Sequence, residues 1–123
     1  MEISEDNKQI LNSDELERYQ RHISLNEIGK MGQINLKNSS VIFVGVGGLG
    51  SSAILYSAAA GIGTIGLIDN DKVEKSNLQR QIIHDTYGVG ENKIISAMTK
   101  IERLNPNCKI ITYSERLNPD NVL

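Results

Sequence analysis

The spacing of hydrophobic residues changes near position 40 and separates two kinds of predicted element. Upstream, apolar side chains recur at the three- and four-residue spacing of amphipathic helices. This predicts one helix that starts near Ser13 and Asp14, which can cap it, and another over about residues 25–36. Gly29 and Gly32 weaken the second helix, so part of it is expected to be irregular. The apolar positions of the two helices are Leu16, Tyr19, Ile23, Ile28, Met31 and Ile34.

Downstream, continuous apolar runs alternate with helical patterns. Residues 41–44 form a β-branched run, as expected of a strand buried on both faces of a parallel sheet, and two further apolar runs predict strands. The order strand, helix, strand, helix, strand behind two N-terminal helices predicts a doubly wound, Rossmann-like α/β fold with a mostly parallel sheet. The remaining predicted elements are a helix over 51–60 with Gly61 as its C-cap, a strand over 64–68, a short helix near Asn77 capped by Ser76, a helix over 91–104 with Ile94, Ile95, Met98, Ile101 and Leu104 on one side, a strand over 109–113 and the start of a helix at 117–120.

The length of 123 residues suits one domain or part of one. Residues 1–12 are expected to form a flexible leader, and residues 13–123 the N-terminal part of one α/β domain. Three parallel strands leave unpaired edges and an uncovered face, which is unfavourable for a sheet of this kind. The chain is therefore expected to be truncated.

Composition and charge exclude several classes of function. The net charge of −2 and the absence of long basic runs argue against nucleic-acid binding, and no apolar stretch approaches the roughly 20 residues of a membrane span. The acidic, polar residues 1–6 do not resemble a secretory signal, so a cytoplasmic location is expected. The single cysteine, Cys108, is expected to be a partly buried, inert thiol. His22 and His84 lack metal-ligand spacing and are expected to be structural, and no metal ligand is predicted.

A glycine-rich turn separates the first strand from the following helix. Gly45, Gly47 and Gly50 match the pattern G-x-G-x-x-G. Glycine serves the tight turn at the first position, phosphate approach at the second and close packing of helix on strand at the third, while free N–H groups at the helix start face an anion. Asp69 ends the second strand 19 residues after Gly50, where a carboxylate can bind ribose hydroxyls. The sequence therefore predicts a nucleotide-phosphate site.

The segment after the second strand is more specific than a dinucleotide fold requires. Residues 69–81 read DNDKVEKSNLQRQ and resemble the signature of the ThiF/MoeB/HesA-type sulfur-carrier adenylyltransferases, which are related to the ubiquitin-activating enzymes. The resemblance covers about residues 15–106 and is strongest to the molybdopterin-synthase adenylyltransferases. The other matching positions are the run RYQRHI at residues 18–23, the pair Gly32 and Gln33, the double glycine Gly47 and Gly48, and Lys93 after Gly90.

This resemblance implies ATP-dependent adenylation of the C-terminal Gly-Gly carboxylate of a small ubiquitin-like sulfur-carrier protein. The carboxylate attacks the α-phosphate, pyrophosphate leaves and an acyl-adenylate forms. Because charge grows on the leaving phosphates, such a site needs several cations, and the candidates for catalysis are Arg21, Arg80 and Lys93.

The resemblance also implies a role for each matching residue. Arg80 and Lys93 would contact the phosphates within one subunit, while Arg21 would reach the triphosphate of the other subunit in a homodimer. The remaining ATP-binding residues would be Asp69 on the ribose, Asn77 on the phosphate or ribose region, and the turn residues Gly45, Gly47, Gly48 and Gly50.

Each cation has a simpler interpretation when it is taken singly. Arg21 and Lys93 are typical solvent-facing helix residues, and Arg80 could pair with Asp71 or Glu74 at little net energy. Their joint occurrence at these spacings favours the phosphate-binding role.

The sequence departs from the family pattern in its C-terminal features. The aspartate that would help to hold Mg²⁺ is expected past Leu123, and the cysteine pairs that carry structural Zn²⁺ in many relatives are missing, as is their reactive cysteine. Two other functions therefore stay open. One is an NAD(P)-binding oxidoreductase domain, and the other is a non-catalytic subunit of an activating enzyme.

Overall fold

The structure is a computed structural model that describes residues 10–114 and 120. The predicted leader residues 1–9 and most of the predicted helix at 117–120 lie outside the described residues. The elements in chain order are α1 (Ser13–Arg18), α2 (Gln20–Ile23), α3 (Gly29–Lys37), β1 (Ser40–Val44), α4 (Gly48–Ala60), β2 (Thr64–Ile68), two 3₁₀ turns (Lys75–Asn77 and Thr86–Gly88), α5 (Lys93–Leu104) and β3 (Lys109–Tyr113).

The N-terminal helices begin with a reciprocal cap. The Asn12 side chain accepts a hydrogen bond from the N–H of Glu15 at 2.8 Å, and the Glu15 carboxylate accepts one from the N–H of Asn12 at 3.1 Å. Ser13 and Asp14 were expected to cap this helix, which is wrong because both already lie within α1. The helix expected over about residues 25–36 is α3, which begins only at Gly29, where φ is 61°. Part of the stretch is thus irregular, as expected, although Gly32 lies within the helix.

The three strands form a parallel sheet in the order β1-β2-β3, which confirms the predicted fold class. The expectation that residues 41–44 are buried on both faces is wrong, because Ile42 and Val44 are 55% and 58% exposed. Right-handed crossovers between strands in this order bring α4 and α5 to the same face. That face carries the buried β2 residues Ile65 and Leu67, and the opposite face stays open in the described part of the chain.

The core lies between this face of the sheet and the two crossover helices. Ile54 and Ala58 of α4 pack in one cluster with Ile94, Ala97 and Ile101 of α5. The predicted apolar side of α5 is only partly correct. Ile95 and Leu104 were predicted on this side but are exposed. Lys93 and Ser96, which were not predicted there, are buried.

Side-chain hydrogen bonds fasten the N-terminal helices to the C-terminal ends of α4 and α5. The Asn105 amide, just past α5, donates to the Tyr19 hydroxyl at 2.6 Å and to the Ala58 carbonyl at 2.7 Å. The Gln33 amide donates to the Ala60 carbonyl at 2.8 Å, beside the αL residue Gly61 that ends α4 as predicted. The glycine turn lies at the other end of α4.

Candidate functional site

The glycine turn joins β1 to α4 in a tight bend. Gly45 has a φ of 94°, a conformation that favours glycine, and its N–H donates to the Ile68 carbonyl at 2.8 Å. A Cβ atom on Gly50 would lie 2.7 Å from the Gly45 carbonyl oxygen, so glycine at this position permits the close approach of helix and turn that the pattern predicted. Helix α4 begins at Gly48, three residues earlier than predicted, and Gly47 gives it no side-chain cap.

Asp69 binds the glycine turn directly. It follows β2, and one carboxylate oxygen accepts the N–H of Val46 at 2.8 Å while the other accepts the N–H of Asp71 at 2.8 Å. The carboxylate therefore joins the turn to the segment after β2. This places Asp69 beside the turn, as its position at the carboxyl end of a neighbouring parallel strand predicts.

Asn77 and Lys93 line one cavity of about 210 Å³ together with Asp71, Lys72 and Glu74. Lys93 is only 8% exposed, although it is the first residue of α5. Its N–H donates to the Asp71 carbonyl at 2.9 Å, and within residues 10–114 its ammonium group forms no ion pair. A buried cation at a helix N-terminus opposes the helix dipole, so an anion in the cavity would stabilise it.

Arg80 and Asn77 lie in the segment around the first 3₁₀ turn. Arg80 is exposed, and its guanidinium donates to the Ser76 carbonyl at 3.3 Å rather than pairing with Asp71 or Glu74. The Asn77 side chain accepts the N–H of Glu74 at 2.9 Å, so Asn77 closes this turn. Ser76 was expected to cap the turn, which is wrong because Glu74 occupies the N-cap position.

Arg21, like Arg80, does not line the cavity that contains Lys93. It is exposed on α2, whose next residue, His22, contacts Gln33 at 3.0 Å, and Gln33 binds Ala60 at the C-terminal end of α4. The 13 residues of α4 span roughly 18–20 Å between that end and the glycine turn. An arginine side chain from α2 is too short to cover that length.

Two buried polar residues beside the turn were not predicted as site residues. His84 is 4% exposed and lies between the Val46 carbonyl and the Ser96 hydroxyl. Gln81 is also 4% exposed, and its Oε1 atom is the one buried side-chain oxygen or nitrogen without a hydrogen-bond partner in the described chain. A Cβ atom on Gly47 would lie 3.5 Å from the Gln81 amide nitrogen. Gln81 ends the segment 69–81 that resembles the family signature, whereas His84 has no sequence signal of its own, because only the fold brings it under the turn.

A second, larger cavity of about 310 Å³ lies between α5 and residues 85–91. It is lined by Asp85, Tyr87, Gly88, Glu91, Ser96, Thr99, Lys100 and Arg103. Opposite charges there partly neutralise one another, since Lys100 lies 3.9 Å from Asp85. The predicted site residues do not line this cavity.

Cys108 directly precedes β3 and lies in the core, which agrees with the expected inert thiol. It is 8% exposed, and burial raises the pKa of its thiol to about 11, so the reactive thiolate is disfavoured near neutral pH. No cluster of three or more His, Cys, Asp or Glu residues that could hold a metal ion occurs within residues 10–114 and 120. Among the same residues, no helix is long and apolar enough to cross a membrane.

The parallel sheet, the glycine turn and the acidic end of β2 define a Rossmann-like α/β domain. The chain belongs to the ThiF family, whose model matches residues 19–123. It is 49% identical over 113 residues to the adenylyltransferase and sulfurtransferase MOCS3 of Aedes aegypti, covering 92% of this chain and 26% of that protein. It is 52% identical over 109 residues to the adenylyltransferase and sulfurtransferase UBA4 of Candida albicans, covering 88% of this chain and 25% of that protein.

A solved structure supports the same fold assignment. The chain superposes with a TM-score of 0.87 and 31% identity on the Escherichia coli tRNA N6-threonylcarbamoyladenosine dehydratase TcdA, crystallised with ATP. The match covers 93% of this chain and 46% of TcdA. The chain thus spans about a quarter of the length of the curated relatives named above.

Proposed function

We propose that this chain binds ATP at the glycine turn and forms the nucleotide-binding part of an adenylyltransferase. Its substrate would be the C-terminal Gly-Gly carboxylate of a small ubiquitin-like sulfur-carrier protein. The observation that carries the proposal is Lys93, a buried cation without an ion-pair partner in the described chain, in one cavity with Asn77. The names of the MOCS3 and UBA4 relatives support the same reaction class, and the ATP in the TcdA crystal supports the choice of nucleotide.

The positions of the charged groups suit nucleotidyl transfer. In the proposed reaction, a bond forms between a carboxylate oxygen of the carrier and the α-phosphorus. The bond from that phosphorus to the bridging oxygen breaks, and its electron pair leaves with pyrophosphate. Lys93 and Arg80 would stabilise this growing charge, Lys93 as a buried point charge and Arg80 through a planar, exposed guanidinium that would exchange its 3.3 Å bond to the Ser76 carbonyl for a phosphate.

The second arginine of the proposal comes from a partner subunit. The anchoring of α2 at the far end of α4 supports a role for Arg21 in trans, since the side chain cannot reach its own glycine turn. A homodimer is therefore part of the proposal, in which the Arg21 side chain of one subunit approaches the triphosphate bound by the other. The Mg²⁺ that would accompany the triphosphate rests on the family resemblance, because the described residues provide no three-ligand cluster.

Two measurements test the proposal at separate steps. Calorimetric titration of the chain with ATP and with NADH tests the nucleotide, and ATP binding without NADH binding is expected. ATP–pyrophosphate exchange in the presence of a purified sulfur-carrier protein tests adenylation, and the carrier is expected to stimulate it. Tight NADH binding without ATP binding would instead identify an NAD(P)-binding domain. ATP binding without any exchange would favour a non-catalytic subunit.

Arg80 provides a sharp mutational test of the chemical step. In the full-length adenylyltransferase of the proposal, Arg80→Ala is expected to fold normally because the side chain is exposed, while exchange falls by about 10²-fold, as for the loss of one electrostatic stabiliser. Arg103→Ala, on the exposed side of α5, serves as the matched control and should leave exchange unchanged. An unchanged exchange rate for Arg80→Ala would remove this residue from the site.

A further inference from the structure

The geometry points to His84 as a positioning residue that aims the backbone N–H of Gly47 at the bound phosphates. This inference rests on the proposed nucleotide site and goes beyond the residues that the family resemblance implies. His84 lies on the segment between the second 3₁₀ turn and Arg80, and it is 4% exposed beneath the glycine turn. Both of its ring nitrogens have partners on other elements.

The hydrogen bonds of His84 define which ring nitrogen carries the proton. Nε2 lies 3.1 Å from the Val46 carbonyl oxygen, which can only accept, so Nε2 carries the hydrogen. Nδ1 lies 2.7 Å from the Ser96 hydroxyl, which donates to it in the neutral ring. Burial lowers the pKa of His84, while the hydrogen bond to the Val46 carbonyl opposes this change. Lys93 lowers the pKa and Asp69 and Asp85 raise it, and the net lowering favours the neutral ring. The Val46 carbonyl therefore fixes the tautomer, and the Ser96 hydroxyl on α5 matches it by donating to Nδ1.

The Val46 residue is held at both of its backbone polar groups. Its N–H donates to Asp69 and its carbonyl accepts from His84. The described chain has no cis peptide bond, and in a trans peptide the carbonyl and the following N–H point in opposite directions. With the Val46 carbonyl directed at the buried imidazole, the N–H of Gly47 is directed away from it.

The Gly47 N–H has no hydrogen-bond partner within residues 10–114, and Gly47 is the N-cap of α4. An N–H in this position needs an acceptor from outside the chain, and an anion at a helix start is a favourable one. His84 also contacts α5 near its start, because Ser96, which binds the Nδ1 atom, lies three residues after Lys93. One buried ring thus connects the glycine turn, through Val46, to α5, through Ser96.

Two variants of equal size separate positioning from simple packing. In His84→Gln the amide nitrogen can still donate to the Val46 carbonyl, whereas in His84→Met it cannot. ATP and adenosine are the probes, because only ATP carries the phosphates that the Gly47 N–H would contact. His84→Met is expected to weaken ATP binding about five- to tenfold relative to His84→Gln, with adenosine affinity equal in both variants. Equal ATP affinity, or an equal loss for ATP and adenosine, would overturn the inference.

Nitrogen NMR on the unaltered chain gives a test that does not depend on how the variants fold. The His84 ring is expected to be neutral with its proton on Nε2, and the Gly47 amide should shift on addition of ATP but not of adenosine. A proton on Nδ1, or an unmoved Gly47 amide in the presence of bound ATP, would contradict the inference. A chain that binds neither ATP nor adenosine would overturn the proposed function instead. In that case the position of the ring proton still tests whether His84 donates to the Val46 carbonyl.

Discussion

The carboxylate of Asp69 accepts a hydrogen bond from the backbone N–H of Val46 at 2.8 Å, across 23 residues of sequence. Its second oxygen accepts the N–H of Asp71, so one side chain connects the end of β2 with the glycine turn. Asp69, which was predicted to bind the ribose, is therefore a structural support of the glycine turn. Charge-assisted bonds of this kind are stronger than those between neutral groups.

Replacement of Asp69 by asparagine is expected to disturb both the fold and the site. An amide can accept only one of the two N–H groups, and its own N–H₂ would face the other. Asp69→Asn should lower the free energy of unfolding by about 1–2 kcal/mol and weaken ATP binding. Urea denaturation and calorimetric titration check the two effects. Glu27→Gln, at an exposed carboxylate before α3, is the control and should change neither.

Lys93→Met is expected to raise the stability of the chain and to weaken ATP binding. The methionine keeps the packing volume and removes a buried cation that opposes the dipole of α5, which should raise the free energy of unfolding by about 0.5 kcal/mol. ATP binding should nevertheless weaken, because the cavity loses its buried positive charge. Thermal melts and ATP titrations of this variant and of Lys30→Met, at an exposed lysine of α3, provide the comparison. ATP affinity that stays at the original level would exclude Lys93 from phosphate binding.

Arg21 is expected to act between subunits. Arg21→Ala and Lys93→Met should each lose carrier-stimulated exchange when studied alone. An equimolar mixture of the two variants should recover roughly a quarter of the original activity, because about half of the dimers would be mixed and each mixed dimer would contain one intact site of two. Exchange assays after mixing, with the mixed dimer verified by mass spectrometry, make the measurement. Verified mixed dimers without recovered activity would contradict the role in trans.

Gln81→Met is expected to stabilise the free chain and to weaken nucleotide binding. The Oε1 atom of Gln81 is buried without a partner in the described residues, which costs about 1–3 kcal/mol that a methionine of similar size avoids. Part of that gain should appear as a higher melting temperature. Because the amide lies beside Gly47, its loss should weaken ATP binding, as measured by titration. A stabilised variant with full ATP affinity would show that Gln81 is a packing residue only.

The stability of the chain is expected to fall at mildly acidic pH through His84. Its pKa is lowered in the folded state from an ordinary value of 6.5, chiefly by burial, so below that value the unfolded chain binds more protons than the folded chain. Stability is therefore fully present above about pH 6.5 and declines as the pH falls towards the lowered pKa. Urea denaturation at several pH values checks this decline, which His84→Gln should reduce. The pKa of the Asp14 carboxyl is also lowered, chiefly by the hydrogen bond from Asn107. Protonation of Asp14 therefore reduces the stability only when the pH falls below its ordinary value of 3.8.

Local patterns predicted most elements of the fold, and the errors have physical causes. β2, β3 and the C-cap at Gly61 depend on short-range sequence and were correct. The burial of β1 was wrong because it depends on which face α4 and α5 cover, a property of topology rather than of the apolar run. Ile95 was expected on the apolar side of its helix together with Ile94, whereas the rotation of α5 exposes Ile95 and buries Lys93 and Ser96.

The sequence by itself determined the order of the elements, the glycine turn and the set of candidate cations, since backbone conformation and residue chemistry are local properties. Only the tertiary structure decided how those groups are used. Packing buries Lys93 beside a cavity that Asn77 also lines, and it places Arg21 near the C-terminal end of α4. It also brings Asp69 to the N–H of Val46 and His84 to its carbonyl. Burial and hydrogen bonds across tens of residues arise from packing, and no spacing within one segment encodes them.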